Sequence, residues 1–205
     1  VDEFLASPGR AIRELWMEMA SYPHRGDAPD RVVAAAARDM LDRPDEEGGS
    51  VLSTAKSYLS LYRDPVIAAN TRASEFRIRD LMHHADPVSL YAVTQPVDKT
   101  RLRPLVRVLV NMTLRLLAER LTFEKGRPVP GYRHRLLAML DEFPSLGRLE
   151  IMQESLAFVA GYGIKCYLIC QDVNQLRSRE SGYGADEAIT SNCHVQTALP
   201  PNRIE

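Results

Sequence analysis

Two adjacent carboxylates end an apolar run in the second half of the chain. In "LLAMLDEFPSLGR", residues 136–148, Asp141 and Glu142 follow five apolar residues and precede a turn rich in Pro, Ser and Gly. Paired acids in this position suit nucleotide hydrolysis, in which one carboxylate holds Mg²⁺, usually through water, and a second activates the attacking water. They equally suit a strand that leaves the core, with Asp141 capping the next helix. The pair alone leaves both interpretations open.

Two further polar features follow apolar runs of the same kind. Gln171 comes directly after "CYLIC", and Thr94 and Gln95 come after "LYAV". Ligands of open α/β sheets bind at the carboxyl ends of the strands. If the three strands are neighbours, these side chains meet Asp141 and Glu142 at one edge, where a polar amide could sense a γ-phosphate.

The phosphate-binding loop of such an enzyme does not occur in this sequence. No GxxxxGK[ST] string is present, and "EKGRPVPGYRH" lacks both the pattern and its lysine. Either the chain is no ATPase or the loop lies upstream of Val1. Because the chain opens on "VDEFLASPGR", with neither a methionine nor a signal peptide, we expect an internal piece of a longer protein.

The amino-acid composition argues against several other classes of protein. Hydrophobic residues make up 45% and charged residues 26%, and the net charge of -1 argues against a generally basic, nucleic-acid-coating surface. No segment approaches the roughly 20 apolar residues of a membrane span, so we expect the piece itself to be soluble and cytoplasmic. Cys166, Cys170 and Cys193 form no CxxC pair, which favours buried thiols in a reducing compartment. His83 and His84 lack a third ligand at metal spacing.

Residues 1–63 predict three consecutive helices. The first has Ser7 as a possible N-cap and Pro8 at its first position, the second is capped by Asp30, and the third ends at Pro65. Because no strand interrupts them, we expect a separate all-α subdomain over residues 1–63. The alternative is that these helices cover one face of a sheet. The residues expected to face one another are Ile12, Leu15, Trp16, Val32, Val33, Met40, Leu52, Tyr58 and Leu59.

Residues 64–205 predict an α/β half. Apolar runs that read as strands are "VSLYAVTQP", broken by Pro96, "RLLAML", "IKCYLIC" and "CHVQTAL", and helical patterns lie between them. The long helix "DKTRLRPLVRVLVNMTLRLLAERL" carries Arg103, Arg107, Asn111, Arg115 and Glu119 along one polar line. Continuously apolar strands that alternate with helices predict a parallel sheet covered on both faces. We expect "LLAML" and "CYLIC" to be adjacent, joined by a right-handed crossover helix over residues 149–162.

Several long stretches resemble one family. "LLAMLDEFPSLGRLEIMQESLAFVAGYGIKCYLICQDVNQL" followed by "DEAITSNCHVQTALPPN" closely resembles the conjugative coupling proteins of type IV secretion systems, in their TraG-like branch. "SVLSTAKSYLSLYRDP" and "NTRASEFRIRDL…PVSLYAVTQPVDKTRLRPLVRVLVNMTLRLL" are similar to that family as well. The resemblance covers most of the chain and is weakest before residue 30.

The resemblance implies a hexameric, RecA-like P-loop NTPase at the cytoplasmic face of the bacterial inner membrane. Such a motor uses ATP and Mg²⁺ to deliver relaxase-bound DNA, or effector proteins, to the secretion channel during conjugation. In that family an all-α domain, linked with recognising DNA and DNA-processing proteins, interrupts the nucleotide-binding domain between its phosphate loop and its Walker-B strand. By the resemblance, residues 1–63 are part of that domain, and residues 64–205 are the Walker-B half of a partial RecA-like domain whose Walker A loop and membrane anchor are not in this sequence.

The resemblance also assigns roles at the edge of the sheet. It implies that Asp141 is the Mg²⁺-site aspartate, Glu142 the catalytic glutamate and Gln171 the sensing residue after the next strand. Arg148 is a candidate arginine finger without a secure match. Two alternatives stay open, another hexameric DNA translocase and a non-hydrolysing adaptor that docks a relaxosome or effector protein. We further expect this piece alone to be inactive as an ATPase, since the phosphate loop is absent from it.

Overall fold

The chain folds as two compact units. The computed structural model describes residues 11–23, 26, 28–119, 122–124, 127–129 and 131–199. The division falls between Ser74 and Glu75. The boundary predicted from the sequence, between residues 63 and 64, lies inside the first unit, because the helix that follows it packs against the turn at Ser60–Arg63.

Consecutive helices form the first unit. They are α1 (Ile12–Ser21), α2 (Arg31–Asp42), α3 (Asp45–Leu59), which continues as a 3₁₀ turn (Ser60–Arg63), and α4 (Pro65–Thr71). Asp30 caps α2 as predicted, since its carboxylate accepts hydrogen bonds from the backbone N–H groups of Val32 and Val33 at 2.9 and 3.2 Å. Asp64 caps α4 in the same way, so Pro65 opens a helix as well as ending the preceding one. Ser7 and Pro8 lie outside the described residues.

Small side chains form much of the buried surface of the first unit. Its buried apolar residues are Leu15, Ala34, Ala37 and Ile67. Helices α1 and α2 pack against each other. The prediction that Val32 and Tyr58 point inward is wrong, because their exposed fractions are 78% and 80%. The helical period places Ala34 and Ala37 on the inward face of α2 and turns Val32 away from it.

The second unit combines short helices with two small sheets. Its helices are α5 (Asp80–His83), α6 (Lys99–Leu117), α7 (Glu150–Ser155), α8 (Val173–Arg177) and α9 (Ile189–Asn192). Its 3₁₀ turns are Pro96–Asp98, Phe143–Leu146 and Val159–Tyr162. Its strands are β1 (Thr122–Glu124), β2 (Arg127–Val129), β3 (Leu136–Leu140) and β4 (Ile164–Leu168). Strands β1 and β2 pair antiparallel.

Strands β3 and β4 form the parallel pair predicted from the sequence. Leu136 lies opposite Ile164, and the register continues to Leu140 opposite Leu168. The connection between them is not one helix over 149–162, as expected, but α7 followed by the 3₁₀ turn Val159–Tyr162. Gly163 then turns the chain into β4 with φ +79, and the ring of Tyr132 lies where a Cβ would stand. Only glycine fits there.

Two predicted strands do not form. Residues 88–95 and 193–199 are irregular, and neither segment pairs with another within the described part of the chain. Tyr91, Val93, Val195 and Leu199 are all more than four-fifths exposed. A strand needs a neighbour to satisfy its backbone groups and to cover its apolar side chains, and these segments lack one here.

One hydrophobic core holds the second unit together. Its buried members are Leu81, Met82, Leu114, Leu117, Phe143, Leu149, Ile151, Met152, Val159, Ile164, Leu176, Tyr183 and Ile189. They come from α5, α6, α7, β4, α8, α9 and the turns between them, so the core lies on one face of the β3–β4 pair. The other face leaves Leu137, Met139 and Tyr167 more than half exposed. Among the described residues, no helix has the length and apolar character needed to cross a bilayer.

Candidate active site

Asp141 and Glu142 follow β3 directly, and the backbone turns sharply at the second acid. Glu142 has φ 50 and ψ 42, the left-handed conformation, and it is the one residue other than glycine with positive φ among those described. Its N–H donates to Oδ1 of Asp141 at 3.0 Å. No side chain caps the 3₁₀ turn Phe143–Leu146 or helix α7, so Asp141 is not the helix cap that the sequence also allowed.

Gln171 meets Glu142 at the carboxyl ends of the two strands. The amide Nε2 of Gln171 donates to Oε2 of Glu142 at 2.8 Å, across 29 residues of sequence. The strand ends are tied by Ile169, whose N–H donates to Leu140 at 3.0 Å and whose carbonyl accepts from Phe143 at 2.9 Å. The predicted convergence of these two polar side chains is confirmed.

The other residues predicted at this edge take different positions. Thr94 and Gln95 lie in the unpaired segment before the turn Pro96–Asp98, and the described hydrogen bonds include none from either side chain to the acids. The prediction that they join Asp141 and Glu142 rested on a strand at "VSLYAV", and it is not supported because that strand does not form. Arg148 is exposed and follows the turn that the acids begin.

The turn after the acids is held by buried aromatic rings. Phe143 is 1% exposed, and its ring is stacked against Tyr183 with centroids 6.0 Å apart. The Tyr183 hydroxyl accepts from the N–H of Leu149 at 3.1 Å and lies 3.4 Å from the Leu149 carbonyl, to which it can donate. Burial raises the pKa of Tyr183, and the Leu149 hydrogen bond together with the charges of Arg107 and Arg148 partly opposes that rise.

Arg107 reaches the same turn from helix α6. Its Nη1 donates to the carbonyl of Leu146 at 2.5 Å. Gly147, with φ +68, follows that carbonyl, and a Cβ there would stand 3.4 Å from Arg107 Nη1. The sequence placed Arg107 only on a polar line, whereas the structure half-buries it. The polar line was the available signal for Arg107, while nothing in the sequence marked Tyr183.

The three cysteines lie near the same strand end but are poor nucleophiles. Burial raises the pKa of Cys166 to about 11, with a further contribution from Cys193. Burial also raises the pKa of Cys170, as do the nearby charges of Asp172 and Glu142. All three thiols are unpaired. In the described part of the chain, no group of three or more His, Cys, Asp or Glu side chains could hold a metal ion.

The oxygen donors at this edge nevertheless suit Mg²⁺ bound together with a nucleotide. Mg²⁺ keeps several waters and is bound by one or two carboxylates plus substrate phosphates, not by a cage of protein ligands. The exposed Asp141 carboxylate, beside a glutamate already oriented by Gln171, fits that pattern. Asp141 would hold the ion, and no histidine or thiolate ligand is required.

Comparisons with known proteins find related sequences along the whole chain. The family model described as "Type IV secretory system Conjugative DNA transfer" matches residues 1–205. The chain is 72% identical over 205 residues to the conjugal transfer protein TraG of Escherichia coli, which covers all of this chain and 32% of that protein. It is 32% identical over 141 residues to protein VirD4 of Agrobacterium fabrum, covering 69% of this chain and 20% of VirD4.

A solved structure supports the fold. The plasmid coupling protein TrwB, in complex with the non-hydrolysable GTP analogue GDPNP, matches 89% of this chain and 41% of its own, with a TM-score of 0.56 and 19% identity. This structural match confirms the predicted RecA-like α/β fold with a helical part before it. The chain spans about a third of the length of its TraG relative. With its full length matched by the family model and by that relative, the chain belongs to the type IV secretory system conjugative DNA transfer family.

Proposed function

We propose that the intact protein containing this chain is a coupling ATPase, which delivers DNA with its relaxase, or effector proteins, to a type IV secretion channel. The observation that supports this most directly is the 2.8 Å hydrogen bond from Gln171 to Glu142 at the strand ends, next to Asp141. Membership of the conjugative DNA transfer family supports a role in conjugation. A homohexamer at the cytoplasmic face of the inner membrane, anchored by a segment outside this sequence, completes the proposal.

Each side chain has a separate task in the proposed hydrolysis. Asp141, exposed at the end of β3, would hold Mg²⁺ through water. The bound ion would neutralise negative charge on the phosphates of ATP. Glu142 accepts a proton from the attacking water at its carboxylate. Gln171 fixes the orientation of that carboxylate through Oε2 and leaves Oε1 for the water, and its position next to the acid suits sensing of the γ-phosphate.

Replacing Glu142 by Gln in the intact protein tests this assignment. Glu142→Gln keeps the size of the side chain but removes its basicity, so hydrolysis falls by about 10²- to 10⁴-fold while nucleotide affinity changes little. Glu154→Gln, on an exposed position of α7, is the matched control and leaves both unchanged. Steady-state hydrolysis and binding of a fluorescent nucleotide measure the two effects. Loss of binding together with hydrolysis would make Glu142 a structural or metal-holding residue.

The 205-residue chain by itself is expected to be inactive. It has no GxxxxGK[ST] loop to hold the triphosphate. A purified preparation therefore shows no Mg²⁺-dependent ATP turnover above that of its own Glu142→Gln variant. Turnover that Glu142→Gln abolishes would mean that the phosphates are held without such a loop.

Arg148 is proposed as an arginine finger that reaches the nucleotide of a neighbouring subunit. Its support is its exposure, directly after the turn that carries the acids. Arg148→Ala in the intact protein should then lower hydrolysis in the assembled state without changing nucleotide affinity. Unchanged hydrolysis would remove Arg148 from the site.

We propose that the helices of residues 1–63 recognise cargo. They belong to a unit of their own, and one face of α3 and its 3₁₀ turn lines an open groove of about 460 Å³. The groove carries two cations and three hydroxyls, which suit an anionic surface on the partner; its lining is Gly49, Leu52, Ser53, Lys56, Ser57, Ser60 and Arg63. Exchanging residues 1–63 for those of a relative should change which cargo is transferred and leave ATP hydrolysis intact. Cargo preference that stays with residues 64–205 would contradict this.

A further inference from the structure

The backbone of Glu142 has a left-handed conformation that is energetically unfavourable for a residue with a Cβ. The left-handed region costs a residue with a Cβ roughly 1–2 kcal/mol, and such a conformation persists only where its surroundings impose it. The Glu142 carboxylate accepts one hydrogen bond from Gln171, an exposed side chain. The backbone N–H of Glu142 donates to Oδ1 of Asp141 at 3.0 Å, and its carbonyl accepts from the N–H of Ser145 at 2.8 Å. The conformation therefore depends on the turn that contains Ser145 staying in place.

Phe143, the residue directly after Glu142, fixes the start of the turn. The ring is buried, and the backbone N–H donates to Ile169 at 2.9 Å beyond the end of β4. Tyr183 stacks on that ring from a loop 40 residues further along the chain. The position of Phe143, and with it the direction in which Glu142 leaves β3, thus depends on Tyr183.

At its far end the turn is fixed twice. Arg107 binds the Leu146 carbonyl, and the Tyr183 hydroxyl binds the backbone of Leu149. Gly147 lies between these two anchors and lets the chain pass close to the guanidinium. Arg107 belongs to α6 and Tyr183 to the loop after α8, so three separate parts of the fold meet at one turn. The described contacts of both side chains are to the turn and not to the Glu142 carboxylate.

We infer that Arg107 and Tyr183 are positioning residues for the Glu142 carboxylate, acting through the turn at residues 143–149. The catalytic part of this inference rests on the proposed function. The part that concerns the conformation of the turn rests only on the contacts of Arg107 and Tyr183. Releasing either anchor lets the turn relax and moves the carboxylate. Displacement of a catalytic group by about 1 Å can cost up to roughly 10²-fold in rate.

The test uses conservative variants in the intact protein. Tyr183→Phe keeps the ring on Phe143 and removes the hydroxyl. Arg107→Met keeps an unbranched apolar side chain, shorter than that of arginine, and removes the hydrogen-bond donors. Each is expected to lower kcat by about 10-fold and to leave KM within about twofold, because the carboxylate acts in the chemical step. Arg107→Lys, which retains one donor for Leu146, recovers most of the loss. Arg115→Met on an exposed position of α6, and Tyr58→Phe, control for loss of a charge and of a hydroxyl.

Double variants that combine each substitution with Glu142→Gln distinguish a positioning role from a general loss of structure. In a Glu142→Gln background the same substitutions should lower the single-turnover rate by less than about twofold, because the group through which they act is already gone. A full 10-fold loss on top of Glu142→Gln would overturn the inference. So would an unchanged kcat in both single variants.

A second measurement does not depend on hydrolysis. In the 205-residue chain, hydrogen exchange at the Leu149 amide and its neighbours should be faster in Tyr183→Phe, while amides of β3 and β4 keep their protection. Unchanged exchange would show that Tyr183 does not hold the turn. If Glu142→Gln leaves hydrolysis intact, the proposed function fails. The exchange result then still decides whether Tyr183 holds the turn, while the catalytic part of the inference fails.

Discussion

Because the backbone at Glu142 is left-handed, we expect glycine to be more stabilising than alanine at this position, the reverse of the usual order. We compare Glu142→Gly with Glu142→Ala in the 205-residue chain. Both variants lose the side-chain hydrogen bond with Gln171, so that contribution cancels between them. What differs is the Cβ, which strains the backbone at φ 50 in the alanine variant and is absent in the glycine variant.

The expected difference follows from two opposing contributions. Relief of the left-handed conformation favours glycine by roughly 1–2 kcal/mol. The greater freedom of glycine in the unfolded chain opposes this by roughly 0.4–1 kcal/mol. We therefore expect Glu142→Gly to be more stable than Glu142→Ala by about 0.5–1 kcal/mol, which corresponds to a urea midpoint higher by about 0.3–0.5 M at an m value of about 2 kcal/mol/M.

Urea unfolding followed by far-ultraviolet circular dichroism measures this difference, and Glu154 supplies the matched control. Glu154 is exposed within α7, where glycine costs roughly 1 kcal/mol relative to alanine. Glu154→Gly should therefore be the less stable of its pair, the opposite order to that at Glu142. If glycine is also the less stable substitution at Glu142, the backbone there is not strained, and the need for Arg107 and Tyr183 to hold it disappears.

Two further predictions concern other parts of the chain. Because burial raises the pKa of Cys166 to about 11 from its ordinary 9.0, its thiolate at pH 8 is roughly 100-fold scarcer than that of an unperturbed thiol. Alkylation by iodoacetamide, followed by mass spectrometry, should be correspondingly slow and should quicken in urea; equal rates in folded and unfolded chains would contradict this. The same shift contributes stability below about pH 9 that is lost as the pH rises toward 11. Asp30→Ala should destabilise the first unit by about 1 kcal/mol through loss of its two N-cap hydrogen bonds, whereas Asp42→Ala, which removes an acid from the C-terminal end of α2, should be neutral or slightly stabilising. Equal urea midpoints for these two variants would show that the Asp30 cap does not stabilise α2.

The sequence by itself determined the elements whose signals are local. Asp30 caps α2 because its carboxylate bonds to N–H groups two and three residues away. The apolar runs "LLAML" and "IKCYL" form β3 and β4, and they pair in parallel because a helical connection separates them. Since parallel strands end at a common edge, the position of Glu142 beside Gln171 followed from the order of those elements.

Tertiary structure alone decided which patterns were realised and how the acids are held. "VSLYAV" and "CHVQTAL" have the composition of strands, but a strand is stable only with a neighbour, and no described segment pairs with either of them. The left-handed turn at Glu142 is held by contacts that join residues 34 and 39 positions apart, from Tyr183 to Leu149 and from Arg107 to Leu146. The spacing of α6 placed Arg107 on a polar line but did not predict its contact with Leu146, and no local pattern marked Tyr183. Such contacts form because packing of the core brings distant buried groups together, where each buried polar group must find a partner.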